Sequence, residues 1–269
     1  MSQFKTINNI TKKETVPLLT IEETNSILLS HKSLNILHIN IRSINQHISE
    51  LECLNSSLNN DNHVIITTES WLNDNFNDNF LPFKNYQIES TNNNIRRSDG
   101  IIILIKNEIN QISTEINITN ANCILTLVTY DKVNYGIISI YRSPSGNIIK
   151  FIEDLDIVIN NVINSHKNTT FILIGDFNID ILDTTNSTAN YLDLLNSLNF
   201  IQLINRPTRP QSNTCIDHIF VRDNLKHYNI QSAVIDSLIT DHYPIILILN
   251  NKIELGKKNI KQTSYRFVD

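Results

Sequence analysis

The stretch Phe171-Ile172-Leu173-Ile174-Gly175-Asp176-Phe177-Asn178-Ile179-Asp180 decides how this chain folds, because an apolar strand here stops abruptly in a carboxylate and an amide two residues apart. Side chains at i and i+2 of an extended chain share a face, so Asp176 and Asn178 leave the strand together while Phe177 points into the core. The pattern recurs twice. Val64 to Thr67 runs into Thr68-Glu69-Ser70-Trp71, and Thr240-Asp241-His242-Tyr243-Pro244 leads directly into the apolar run Ile245 to Leu249. An acid at the end of a hydrophobic strand is costly to bury without a cation or a partner, so repeated ends of this kind point to a metal-phosphate site.

Outward from these ends the chain alternates strands with a few helices. Leu34 to Ile41 alternates as a strand with one buried face. Ile44, Ile48, Leu51, Leu54 and Leu58 then recur at helical steps, and Val64 to Thr68 is the next strand. Tyr86 to Glu89, Gly100 to Lys106, Cys123 to Tyr130 and Tyr135 to Tyr141 read as strands between Asn- or Gly-containing turns, and Ser143-Pro144-Ser145-Gly146 breaks the last of them. Ile148, Ile152, Leu155, Ile159 and Val162 form a second amphipathic helix, and Thr188 to Leu198 a shorter one. Ile216 to Val221, Ile230 to Ile235 and Ile245 to Leu249 close the series. Many strands with interleaved helices predict an α/β sandwich of two mixed sheets with helices outside. Residues 1–32 are polar and read as an N-terminal arm, residues 33–250 as one domain, and residues 251–269 as a C-terminal linker, in keeping with a segment of a longer chain.

Composition limits the function. An apolar fraction of 41% and a charged fraction of 18% describe a globular protein rather than a disordered one. The net charge of −5 argues against holding nucleic acid by bulk attraction alone, so a DNA reading rests on local patches: Arg96-Arg97, the Arg206-Pro207-Thr208-Arg209 loop, Arg142, and Arg222 with Lys226. Cys53, Cys123 and Cys215 are odd in number and far apart, and are expected to be reduced, buried thiols of an intracellular protein. No apolar run approaches the roughly 20 residues of a membrane helix, so no membrane partner is expected. Cys and His do not cluster at zinc spacing, and Ser70 lacks the small-residue elbow of a serine hydrolase.

The strand ends supply hard oxygen donors. Glu69, Asp241 and Asn40 together match what Mg²⁺ takes from a protein when phosphate and water complete its shell. Asn40 alone is a turn residue; its weight comes from its company. Asp176 with Asn178 provides a carboxylate and a directing amide for general-base chemistry. Asp217 within an apolar strand needs a partner, and His242 as that partner would be held in one tautomer and kept cationic beside a phosphoryl oxygen. Tyr141, just before Arg142, adds a phenol donor.

In order, Asn40, Glu69-Ser70-Trp71, Tyr141-Arg142-Ser143-Pro144, Gly175-Asp176-Phe177-Asn178, Ile216-Asp217-His218 and Asp241-His242-Tyr243-Pro244 resemble the endonuclease/exonuclease/phosphatase superfamily over about residues 34 to 250. Thr68-Glu69-Ser70-Trp71-Leu72, the Tyr-Arg-Ser-Pro element and Asn205-Arg206-Pro207-Thr208 look like the apurinic-type endonuclease domains of non-LTR retrotransposons. The resemblance implies a four-layer α/β sandwich and a Mg²⁺-dependent phosphodiesterase, with Mn²⁺ as an alternative ion. It further implies a DNA endonuclease that leaves a 3′-hydroxyl primer, has a reverse transcriptase downstream in the same polyprotein, and acts in the nucleus. By the same resemblance Asn40, Glu69 and Asp241 hold or surround the metal, and Asp176 activates water that Asn178 positions. His242, oriented by Asp217, and Tyr141 stabilise charge, while Thr214, Arg142 and Arg206 meet the substrate. An abasic-site repair endonuclease or exonuclease, a phosphatase of the superfamily, and an inactive domesticated binding module are the alternatives. Two positions depart from the family pattern: Thr240 stands where Ser is usual, and Asp99-Gly100 where many relatives have a Gly pair.

Overall fold

A computed structural model of the chain describes residues 15–28, 33–59, 61–72, 81–92, 94, 96–222 and 228–251. The described elements are β1 (Leu18–Leu19), α1 (Ile21–Leu28), β2 (Ser33–Asn40), α2 (Ile44–Ser57), β3 (Val64–Thr68), β4 (Tyr86–Ser90), β5 (Ile102–Lys106), β6 (Gln111–Glu115), β7 (Ala121–Tyr130), β8 (Val133–Arg142), α3 (Ile148–Ser165), β9 (Thr170–Asp176), α4 (Asn186–Ser197), β10 (Ile201–Gln202), β11 (Asp217–Arg222), β12 (Tyr228–Ile235) and β13 (Ile245–Asn251). They form a seven-stranded sheet ordered β1-β12-β13-β2-β3-β5-β4 and a six-stranded sheet ordered β10-β11-β9-β8-β7-β6. Both are mixed, since β2 runs parallel to β3 and β8 parallel to β9 among antiparallel neighbours.

Alternation along the strands builds four layers. Leu34 and Ile36 of β2 pack between the sheets with Ile137 of β8 and Ile172 and Ile174 of β9, the face that ends in Tyr141 and Asp176. Leu37 and Ile39 point the other way, onto Ile44, Leu51 and Leu54 of α2 and Leu28 of α1. On the far side, Phe171 and Phe177 pack under Phe151, Leu155 and Tyr191 of α3 and α4. The starts of α3 and α4 are capped: the Asn147 side chain accepts from the amides of Ile149 and Lys150, and Thr185 from Thr188. Among the described residues no helix is long and apolar enough to cross a membrane.

Two expectations need correction. Residues 15–28 of the expected arm belong to the fold: β1 pairs in parallel with β12, and Val16, Leu19 and Leu28 are buried. Thr20 and Glu23 close a reciprocal capping box at the start of α1, with the Thr20 amide donating to Glu23 Oε2 at 2.9 Å and the Glu23 amide to Thr20 Oγ1 at 3.2 Å. Of the three cysteines, Cys123 and Cys215 are buried but Cys53 is exposed, because position 53 falls on the outer face of α2. Residues 252–269 of the expected linker, and Lys226, lie outside the described residues.

His218 shows how the outer layer is tuned. Its ring stacks on Phe177 at 4.9 Å between centroids, with the Tyr191 hydroxyl 3.1 Å from Nδ1 and the Cys215 carbonyl 3.1 Å from Nε2. A ring that donates through one nitrogen and accepts at the other is neutral. Burial holds its pKa down at about 4, and burial does the same to His38. Such groups stabilise the fold fully above the unfolded pKa of about 6.5, and lose that contribution as pH falls toward 4, because only the unfolded chain takes up the proton in that window. Each is expected to cost on the order of 3 kcal/mol by pH 4. Urea unfolding at pH 7 and pH 4.5 measures this; equal free energies at the two values would contradict neutral burial.

Candidate active site

Strand ends from both sheets meet at one rim. Residues 34, 36, 38 and 40 of β2 share the face toward the six-stranded sheet, so Asn40 reaches it at the strand's end, in register with Thr68, and Glu69 follows. Across the gap Tyr141, Asp176 and Asp217 lie in one row over β8, β9 and β11. Asp241 and His242 come from the turn before β13. Three hydrogen bonds join the sheets here. Asn40 Nδ2 donates to Asp176 Oδ2 at 2.8 Å, His242 Nδ1 to Asp217 Oδ2 at 2.8 Å, and Tyr141 Oη to Glu69 Oε1 at 3.4 Å.

Backbone strain sets the aim of these groups. Glu69 and Asn178 adopt left-handed φ angles of 49° and 48°. The Asn178 amide turns back to Asp176 Oδ1 at 3.0 Å, and its side chain donates to the Arg142 carbonyl at 2.8 Å. Gly175 has φ 148°, and a Cβ there would run into the Ile140 carbonyl. The Thr240 hydroxyl donates to the Asn40 carbonyl at 2.8 Å and accepts from the His242 amide at 3.2 Å, tying the end of β2 to the turn before β13. Asp99-Gly100 is likewise accommodated, the two carbonyls accepting from the Trp71 and Ser70 amides.

The charges are unequal by design of their surroundings. Burial and the adjacent Asp217 carboxylate push Asp176 well above the usual carboxylate range. Burial alone would lower His242, but the Asp217 carboxylate reverses this and holds it up at about 9, so the ring is cationic near neutrality and has no lone pair to take a proton. Burial works against ionised Asp217, yet the His242 charge and hydrogen bond prevail and hold its carboxyl below its ordinary value. Burial, then the charges of Glu69 and Asp176, raise the Tyr141 phenol far above its usual value, which keeps it a donor. Asp241 is held low against burial by His242, Arg42 and Arg209.

Eight of the eleven residues expected at the site, Asn40, Glu69, Tyr141, Asp176, Asn178, Asp217, Asp241 and His242, are brought together. The other three sit elsewhere in the hydrogen-bond network. Arg142 is turned inward, donating to the carbonyls of Phe177, Asn178 and Gly146, with its guanidinium over the Phe151 ring, and it positions the Asp176–Asn178 turn. Arg206 donates to the Val16 carbonyl at 3.1 Å and braces the N-terminal segment. The Thr214 hydroxyl pairs with Ser212 at 2.7 Å. The hydroxyl that enters the site is that of Thr208, donating to Asp217 Oδ2 at 2.7 Å. Arg42 and Arg209 also reach the site. Arg42 Nη1 lies 2.8 Å from Asp241 Oδ1, and Arg209 Nε and Nη2 lie 2.8 Å and 2.6 Å from Asp241 Oδ2. Their signal in the sequence was proximity to motifs, Arg42 two residues after Asn40 and Arg209 within the Arg206–Arg209 loop.

The donor set fits a hard divalent cation. Asp176, Asp217 and His242 each offer a ligand atom within 4.8 Å of one another. Asp217 and His242 are, however, committed to each other, and Asp241 to two guanidiniums. That leaves the Glu69 carboxylate and the Asn40 amide oxygen as the freer donors, with Asp241 beside them. Four carboxylates crowd this rim, one oxygen of Asp217 is buried without a hydrogen-bond partner, and Asp176 is pushed high. A cation supplies the charge such a cluster lacks.

A model of the endonuclease/exonuclease/phosphatase family matches residues 33–242. No curated protein matches the chain. Among solved structures, the human Nocturnin catalytic domain with bound sulfate superposes with a TM-score of 0.66 at 13% identity, covering 83% of this chain and 95% of that one. The endonuclease domain of TRAS1, a telomere-specific non-LTR retrotransposon, gives 0.64 at 14% identity, covering 82% and 100%. D. rerio TDP2 complexed with single-strand DNA product gives 0.61 at 16% identity, covering 81% and 99%. At these identities the likeness is one of fold.

Proposed function

The chain belongs to the endonuclease/exonuclease/phosphatase family, and from that premise we propose that it is a Mg²⁺-dependent DNA endonuclease whose nick leaves a 3′-hydroxyl to prime reverse transcription by a downstream domain. The observation that carries the hydrolytic part is the triple join at the rim, Asn40 to Asp176, Asp217 to His242 and Tyr141 to Glu69, which sets a base, a cation and a phenol donor around one point. The retrotransposon part rests on the order of the motifs and on the shared fold of the TRAS1 endonuclease domain. A nuclear setting follows from that role.

Glu69 and Asn40, with Asp241 beside them, would hold the cation. When bound, it supplies Lewis-acid stabilisation to the leaving oxygen. Asp176, steadied by the Asn40 amide and the Asn178 backbone, takes a proton from the attacking water in its ionised form, which the neighbouring His242 charge favours. Cationic His242 and the Tyr141 phenol meet the charge that grows on the phosphoryl oxygens. The P–O3′ bond breaks, its electron pair leaves on O3′, which is protonated by solvent, and the phosphate stays on the 5′ side.

Supercoiled plasmid separates this reading from a phosphatase or a silent binding module. Conversion to the nicked circle is expected with Mg²⁺, and none with EDTA. Intact plasmid under both conditions would remove the endonuclease reading.

A further inference from the structure

Trp71 is the sole tryptophan of the chain, and its placement is not accounted for by the core. It lies two residues beyond Glu69, is 37% exposed, and adopts a left-handed φ of 53°, a conformation that bulky side chains rarely take. The segment is pinned in that shape from both sides. Ser43 and Ile44 amides donate to the carbonyls of Glu69 and Ser70, while the Ser70 and Trp71 amides donate to the carbonyls of Gly100 and Asp99. Ser70 between them is fully buried, its hydroxyl 2.9 Å from that of Thr67. Glu69 and Trp71 flank it in the same short turn, Glu69 reaching Tyr141 at the rim and Trp71 remaining exposed. Among the described residues no hydrogen bond or ring contact holds the indole.

A strained backbone is retained where its surroundings over-determine it, and here the constraint delivers an aromatic face to the solvent next to the carboxylate that would hold the cation. Cations flank it. Arg42 Nε is 3.9 Å from Glu69 Oε2, and its side chain is half exposed. The turn that accepts the Trp71 amide carries Arg96, which donates to the Ser145 hydroxyl, and exposed Arg97. An exposed aromatic set among arginines beside a phosphate site is the arrangement by which proteins stack an unpaired base while holding its backbone. We propose that Trp71 is the stacking platform for an unpaired base of the substrate strand, so that the site takes DNA that is single-stranded or locally opened at the cut. This deepens the nuclease reading and rests on it. Trp71 is here a substrate-positioning residue and takes no part in proton transfer.

A single tryptophan makes its own fluorescence the readout. The full chain carrying Asp176→Ala, with Mg²⁺, is titrated with a labelled single-stranded deoxynucleotide decamer and with an all-abasic strand of equal charge, following strand anisotropy and tryptophan emission together. Both strands are expected to bind and only the base-bearing one to quench. In the otherwise wild-type chain, Trp71→Ala is expected to raise KM for the decamer by roughly 5- to 100-fold with kcat little changed, and Trp71→Phe to restore most of the loss. Binding of the decamer without quenching, equal quenching by the abasic strand, or an unchanged KM in Trp71→Ala would overturn the stacking role while leaving the nuclease standing. Absence of binding by either strand would likewise overturn the stacking role and the preference for opened DNA, whereas failure of the nuclease reading itself shows as plasmid left intact with Mg²⁺.

Discussion

His242→Ala is expected to lower kcat by a factor on the order of 10² to 10³, and Asp176→Ala by a similar factor, because each removes a contact that strengthens as charge develops in the transition state. Their routes differ. Asp176 is the fully buried base, reached by Asn40 Nδ2 and the Asn178 amide, and alanine there removes the proton acceptor. His242 is the cation that Asp217 maintains, and alanine there removes positive charge from the phosphoryl oxygens and leaves Asp217 a buried anion without its partner. That second effect carries a stability cost of about 3 kcal/mol or more. Unfolding and kcat are therefore measured together, with His242→Asn as the variant that retains a donor toward Asp217. A folded His242→Asn at wild-type rate would contradict the imidazolium's role.

Gly175→Ala is expected to destabilise the fold by about 4 kcal/mol or to prevent folding. At φ 148° an L side chain is strained, typically by a few kcal/mol. The added methyl would also meet the Ile140 carbonyl of the paired strand, and a backbone atom in mid-sheet cannot swing aside as a side-chain tip can. Gly175 lies immediately before Asp176, so the shape that only glycine tolerates is the one that delivers the carboxylate to the rim. Urea unfolding of Gly175→Ala tests this, and wild-type stability would refute the close approach. Gly136 offers a contrast, since a methyl there would meet the Phe171 ring, which can shift.

The strand ends were legible in the sequence because buried strands announce themselves by apolar runs, and an acid closing such a run has few explanations. Asp217 and His242 could be paired from chemistry alone, one needing a partner and the other able to supply it. What stayed hidden depended on contacts between distant segments. β6 shows an exposed Ile112 and only partly buried neighbours, so its pattern gives no apolar face to read. β1 has two residues and exists through its partner β12. The arm reading of residues 1–32 followed their polar composition, although Thr20-Ile21-Glu22-Glu23 carried a capping-box signal for α1. Arg142 and Arg206 looked like surface charges beside a phosphate site, whereas three of the four carbonyls that hold them, those of Phe177, Asn178 and Val16, belong to residues 35 to 190 positions away. Asp241 gathers Arg42 and Arg209 from the same kind of separation, 199 and 32 residues.

That groups from both sheets act as one site is tested most directly by a double-mutant cycle on plasmid nicking, with Asp176→Ala, His242→Ala and the two combined. One shared site predicts that the double variant falls no further than the weaker single, since removing either group already disables the step both serve. Losses that multiply, each variant contributing its full factor independently, would contradict a single site.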